Sequence, residues 1–167
     1  MIASLCPAWS IPGYLEVRDD HLTVSGVDTL ELVKESNSPL FVFSESRIRD
    51  NIGRLQRAAD AVDRPIKFCY ASKANSNMAI LKVVLDSGID IEVNSGGELF
   101  KALRVGFHPD QIIFNGTSKS DDEIDDAVRA GIYAINVDSI YEIDLVEQSV
   151  ERLRARGENV APARITL

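Results

Sequence analysis

From residue 39 onward, short apolar runs alternate with longer amphipathic ones, a rhythm that predicts strands and helices in turn. Strands are expected at 39–43, 66–71, 89–94, 111–115, 133–137 and 160–166, and helices at 45–61, 77–87, 96–105, 121–130 and 139–156. In the first helix Ile48, Ile52, Leu55 and Ala59 recur at three- and four-residue spacing, as one buried stripe requires. Ser95 with Glu98, Ser120 with Glu123 and Ser139 with Glu142 form S-x-x-E capping boxes at three helix starts, where serine and glutamate each take an otherwise unpaired amide. Gly88, Gly106, Gly131 and Gly157 follow helical runs, as helix-ending residues do. Residues 1–38 read as an irregular opening segment with Pro7, Pro12 and Gly13.

Repeated strand–helix units predict a parallel sheet with right-handed crossovers, either doubly wound or part of a (β/α)8 barrel. The strand faces favour the barrel. In 89–94, Ile89, Ile91 and Val93 share one face while Asp90, Glu92 and Asn94 share the other, because successive side chains point to opposite sides. The bulky Ile66, Phe68 and Tyr70 likewise alternate with Lys67, Cys69, Ala71 and Lys73. A doubly wound sheet buries both faces and calls for continuous apolar strands; one apolar and one polar face suits helices outside and a polar lumen inside. The fold class expected is thus α/β, a partial (β/α)8 TIM-type barrel. Such a barrel takes about 250 residues, whereas this chain stops near the fifth barrel strand, at Ile165-Thr166-Leu167. Residues 39–167 are expected to be the leading part of a larger barrel protein.

Composition narrows the function classes. At 167 residues, 45% hydrophobic and 26% charged, the chain is one ordinary globular unit. Eighteen basic against 26 acidic side chains give a net charge of −8, which disfavours nucleic acid and anionic lipid as partners. No apolar run approaches the roughly 20 residues of a membrane span. The first basic side chain is Arg18, so the basic start of a targeting peptide is missing and a cytoplasmic location is expected. Cys6 and Cys69 are the only thiols, expected to be reduced. His21 and His108 stand alone, and no metal site is expected.

In parallel α/β folds the chemistry gathers at the carboxyl ends of strands. Four segments qualify: 70–75, 92–98, 115–119 and 136–138. Lys73 is the central candidate, because strand alternation aims it the same way as the small Cys69 and Ala71. A desolvated amine there would lose its proton readily and attack an aldehyde. A solvated lysine at a strand end is the plainer reading of position alone. Glu92, on the inward face of the adjacent strand, shifts the balance, since a carboxylate there can pair with Lys73 or orient what it binds. Ser95-Gly96-Gly97-Glu98 reads either as an anion-binding helix start or as a cap with tight packing. Asn115-Gly116 is either a turn or a ligand-contacting loop.

Together these segments resemble the fold-type III pyridoxal-phosphate decarboxylases, the family of diaminopimelate, ornithine and arginine decarboxylases. Ser38-Pro-Leu-Phe-Val-Phe43 is similar to the family's opening strand, Phe68-Cys-Tyr-Ala-Ser-Lys-Ala-Asn75 to its cofactor-lysine motif, and Asn94-Ser-Gly-Gly-Glu-Leu99 to its second-strand loop. Phe114-Asn-Gly-Thr-Ser-Lys-Ser120 and Ile135-Asn-Val-Asp-Ser139 resemble the next two. The resemblance implies pyridoxal 5'-phosphate as cofactor, with Lys73 bound to it and Glu92 the acidic residue beside that lysine. It implies Lys73, Asn94, Asn115 and Arg164 as cofactor contacts, Arg164 resembling a fifth-strand arginine near the cofactor. An amino acid would be the substrate and a homodimer the assembly. The remaining barrel strands, the stacking histidine, the glycine-rich phosphate loop, the partner of the ring nitrogen and a β domain would lie beyond Leu167. Glutamate in place of the usual aspartate at position 92 resembles decarboxylases of siderophore and other secondary pathways, so a conjugated amino acid is an alternative substrate.

Three other readings compete. Alanine racemases share the barrel but continue their lysine motif as Lys-Ala-Asn-Ala-Tyr-Gly, where this chain has Ser76-Asn77-Met78 after Asn75. A non-catalytic pyridoxal-phosphate-binding barrel suits the short length but not the Asn-Ser-Gly-Gly-Glu motif. The third is an inactive truncated homologue acting through protein contacts.

Overall fold

The computed structural model describes residues 8–36 and 39–167. Two compact units divide after Ala58. The first contains an antiparallel meander, β1 (Leu15–Arg18), β2 (His21–Val24) and β3 (Val27–Asp28), followed by helix α1 (Thr29–Glu35). Most of α2 (Glu45–Ala59) also lies in it. Strands thus form within the segment expected to be irregular, and the compact units divide at the end of α2. The two turns explain the meander: Asp19-Asp20 and Ser25-Gly26 all have positive φ, the backbone of two-residue hairpin loops whose twist matches the flanking strands. His21 Nδ1 lies 2.5 Å from Asp28 Oδ2 across the meander, a structural role for that histidine. Cys6, Pro7 and Ser38 lie outside the described residues.

The strand expected at 39–43 does not form. Among the described residues no neighbouring strand offers its backbone a ladder, and Leu40, Phe41, Val42 and Phe43 are exposed.

The second unit carries the barrel pattern: β4 (Cys69–Ala71), α3 (Met78–Asp86), β5 (Asp90–Val93), α4 (Gly96–Val105), β6 (Ile112–Phe114), α5 (Asp121–Ala130), β7 (Ala134–Asn136), α6 (Ile140–Ala155) and β8 (Ile165–Thr166). The five strands pair in sequence order, all parallel. A doubly wound sheet reverses its order at a switch point; sequential order is that of a barrel wall. Register separates the faces. Ile91, Val93, Ile112, Phe114 and Ile135 are buried, in one core with helix residues such as Leu81, Leu99, Ile124 and Leu153. Cys69 and Ala71 pair with Asp90 and Glu92, and Glu92 with Ile113, which pairs with Ala134, so these side chains share the opposite face.

Helix α5 is joined to α6 through Asp125, a buried residue. Its carboxylate accepts from Ser149 Oγ at 2.6 Å and from the Arg152 guanidinium at 2.6 and 3.2 Å. Burial pushes this carboxyl up, but Arg152 and Ser149 outweigh it and hold the group below its ordinary value. A depressed folded value contributes stability that is present above the unfolded carboxylate range and lost as pH falls through the folded value. Thermal melts should therefore begin to decline below about pH 4–5. Asp125→Asn should cost about 2 kcal/mol at neutral pH and flatten that acid limb; an unchanged acid limb would assign the decline to other groups.

Candidate functional site

Beyond β4 the chain does not continue as a strand. Ser72–Ala74 form a 3₁₀ turn, so strand alternation does not govern Lys73, and the turn delivers an exposed side chain at the strand's carboxyl end. The desolvated amine expected from alternation is thus corrected to an accessible one. Four of the six lysines are tied by partners: Lys67 by Asp90, Lys82 by Asp86, Lys101 by Ser76 and Lys119 by Glu142. Lys73 has no hydrogen bond or ion pair among the described residues.

The turn itself is held firmly. Tyr70 Oη donates to Asn75 O at 3.1 Å, and Lys101 Nζ donates to Ser76 Oγ at 2.9 Å. The fully buried Ser72 donates to Glu98 Oε2, and the same oxygen accepts from Asn94 N at 2.9 Å. Glu98 thereby links the Lys73 turn to the loop after β5.

Glu92 occupies the polar face beside Ala71. Its Oε1 accepts from Asn94 Nδ2 at 2.8 Å and from Asn115 Nδ2 at 3.1 Å. The structure therefore gathers Glu92, Asn94 and Asn115 into one cluster, while no ion pair joins Glu92 to Lys73 among the described residues. Asn115 N donates to Val93 O at 2.8 Å. Gly116, at φ +124°, lies so close to Asn94 that an added Cβ would sit 2.8 Å from its carbonyl oxygen. Arg164 is not brought to this cluster. Its guanidinium reaches Asp110 Oδ1 at 3.1 Å and lies 5.3 Å from the Tyr133 ring centre, beside residues that precede β6 and β7. Cys69, on the same face as Glu92, has its thiol pushed up by burial and by Asp90.

The start of α4 is occupied by protein groups. Ser95 Oγ accepts from Glu98 N at 3.3 Å, and Glu123 Oε1 accepts from Gly96 N at 2.6 Å. The anion-site reading of Ser95–Glu98 gives way to the packing one: Gly96 is small because Glu123 Cγ lies 2.9 Å from where its Cβ would be. Of the three S-x-x-E starts, Ser120–Glu123 alone closes a reciprocal capping box. Glu98 and Glu142 reach instead to the amides of Asn94 and Asp138, one residue before their caps, where Ser95 and Ser139 are fully extended at φ −157° and −155°. His108 caps the 3₁₀ turn Pro109–Gln111. No cluster of three His, Cys, Asp or Glu side chains suited to a metal occurs among the described residues, and none of their helices is long and apolar enough to cross a membrane.

Sequence reasoning missed Lys119 and Glu142 as a buried pair at 3.0 Å. In the sequence each stands only as part of a loop or cap, and the signal available is a lysine directly before an S-x-x-E start.

An accessible amine, unpartnered among the described residues, and the Glu92 carboxylate with its two asparagine amides fit the aldehyde end of pyridoxal 5'-phosphate. The amides of Asn94 and Gly96 already bonded to carboxylates do not fit its phosphate. Residues 48–164 match the family model described as pyridoxal-dependent decarboxylase, pyridoxal binding domain. The chain is 41% identical over 126 residues to diaminopimelate decarboxylase of Methanothermobacter thermautotrophicus, covering 75% of this chain and 29% of the relative. The Bacillus subtilis diaminopimelate decarboxylase is 36% identical, with 76% and 29% covered. The crystal structure of diaminopimelate decarboxylase from M. jannaschi superposes at a TM-score of 0.81 with 32% identity, covering 91% of this chain and 35% of that one. AQ1208 from Aquifex aeolicus gives 0.82 and 33%, with 92% and 36% covered. The chain thus spans about a third of the length of the relatives it matches. The cofactor implied is pyridoxal 5'-phosphate. With the sequential parallel wall, the lysine turn and a match to the pyridoxal-binding domain model over residues 48–164, this chain belongs to the pyridoxal-dependent decarboxylases.

Proposed function

We propose that the gene product carrying this chain decarboxylates an amino acid with pyridoxal 5'-phosphate, and that Lys73 is the residue that holds the cofactor aldehyde. The observation that carries the reading is the exposed Lys73 amine, unpartnered among the described residues and set on a braced turn at the carboxyl end of β4. When bound, the cofactor supplies a conjugated ring that accepts the electron pair left by a departing carboxylate. Glu92 sets the charge beside that amine, and Asn94 and Asn115 fix its direction. Arg164, by strand register on the same face as Asn136 and Thr166, is proposed as a further cofactor contact that would have to leave Asp110 to serve.

The relatives named diaminopimelate decarboxylase support a diamino acid substrate. One structural neighbour is a diaminopimelate decarboxylase in co-complex with L-lysine, the compound that diaminopimelate becomes on losing one carboxylate. We place the reaction in the cytoplasm and in a homodimer, by the family resemblance. Carbon dioxide release from a panel of diaminopimelate, ornithine, lysine, arginine and citrate-conjugated diamino acids tests the proposal. Sustained turnover on diaminopimelate, absent in Lys73→Ala, is expected. Cofactor captured at Lys73 without turnover on any of them would favour a non-catalytic binding barrel.

Glu92→Gln separates chemistry from fold. Glutamine keeps an acceptor oxygen for both asparagine amides and removes the carboxylate, so melting temperature should hardly move. Turnover should fall by at least about tenfold, equivalent to about 1.4 kcal/mol. A large loss of stability with normal turnover would make Glu92 a structural group.

A further inference from the structure

Behind the cluster lies an ion pair that the proposed chemistry does not use. Lys119 and Glu142 have side chains only 1% and 6% exposed. The Lys119 ammonium donates to Gly116 O at 2.5 Å and to Glu142 Oε2 at 3.0 Å, and it lies 5.8 Å from the Phe114 ring centre. Glu142 Oε2 also accepts from Asp138 N at 2.9 Å. The pair thus joins the loops that follow β6 and β7.

A buried ion pair gives little net stability compared with an apolar pair of the same volume. What an apolar pair cannot do is hold a carbonyl in one direction. The carbonyl held here belongs to Gly116, where an added Cβ would run into the Asn94 backbone, and Asn115 next to it donates to Glu92. We propose that Lys119 and Glu142 are positioning residues, which clamp the Asn115–Gly116 turn so that the Asn115 amide stays on Glu92. The proposal rests on the reading of Glu92 as part of the site.

The experiment separates positioning from plain stability in the 167-residue chain. Lys119→Met leaves a buried carboxylate without its cation and should lower the melting temperature by roughly 10 °C. Adding Glu142→Gln removes the second charge while keeping an acceptor for Asp138 N, and most of that loss should return. The deciding readout is the side-chain amide resonance pair of Asn115, assigned by its disappearance in Asn115→Asp. Positioning predicts that in the double variant this pair shifts and exchanges with solvent at least about tenfold faster, a change of about 1.4 kcal/mol in protection, despite recovered stability. A wild-type Asn115 signal in the folded double variant overturns the proposal. Glu142→Asp, which keeps both charges and shortens the reach, covers the case in which the double variant does not fold: a shifted Asn115 signal supports the clamp and an unmoved one overturns it. Because this readout involves no cofactor, failed capture at Lys73 with intact coupling counts against the proposed function and leaves the clamp standing.

Discussion

Lys73→Ala should abolish site-specific covalent capture of pyridoxal 5'-phosphate by this chain. In the parent protein, borohydride treatment with the cofactor should fix it to the peptide containing Lys73. The selectivity follows from the amines' surroundings. Lys67 and Lys82 are committed to carboxylates, Lys101 to a hydroxyl, and Lys119 is buried on Glu142; Lys34, exposed in α1, is as open as Lys73 but does not stand on a braced turn at a strand's carboxyl end. An amine engaged as an ammonium by a carboxylate must give up that interaction before it can attack a carbonyl carbon. Lys73 has no such partner among the described residues, and the rigid turn around it limits the freedom lost on reaction. Peptide mapping after reduction should show the mark at Lys73, with only slow background labelling elsewhere. Undiminished capture in Lys73→Ala would remove the basis for the proposed function.

Gly116→Ala should be among the most damaging single-methyl additions in the molecule. At φ +124° an L side chain is strained, and its Cβ would stand 2.8 Å from Asn94 O and 3.3 Å from Asn94 C and Cα. These are backbone atoms that cannot swing aside. Strain and overpacking together should cost about 2–4 kcal/mol, read as a urea midpoint lowered by roughly 1–2 M. Gly96→Ala meets Glu123 Cγ at 2.9 Å instead. That side chain can move, so the loss should be smaller. If the two variants unfold at the same midpoint, the close approach at Gly116 is not the constraint it is taken to be.

Helix boundaries were largely legible from the sequence. The helices expected at 96–105 and 121–130 form at those residues, because each is announced by a serine cap and closed by Gly106 or Gly131 in a left-handed conformation. The strands came out shorter than expected, 69–71 in place of 66–71 and 165–166 in place of 160–166, since an apolar run does not say how many of its amides find a ladder. The meander at 15–28 went unread: its strands are too short to display a period, and only Ser25-Gly26 marked a turn.

What the sequence determined by itself was the alternation of elements, the polar and apolar strand faces and the residues worth suspecting. Each is set by spacing within a few positions, which backbone geometry converts directly into a face or a cap. The tertiary structure decided where those groups point. Lys73 is carried on three residues of 3₁₀ helix in place of a strand, Arg164 is turned to Asp110, and the stretch 39–43 finds no ladder. A first-turn glutamate has several amides and hydroxyls within reach. Glu98 found Ser72, Glu123 found Gly96 and Glu142 found Lys119, each more than twenty positions away. Local pattern carries no record of such partners, because the distance between them is fixed only when neighbouring strand–helix units pack side by side.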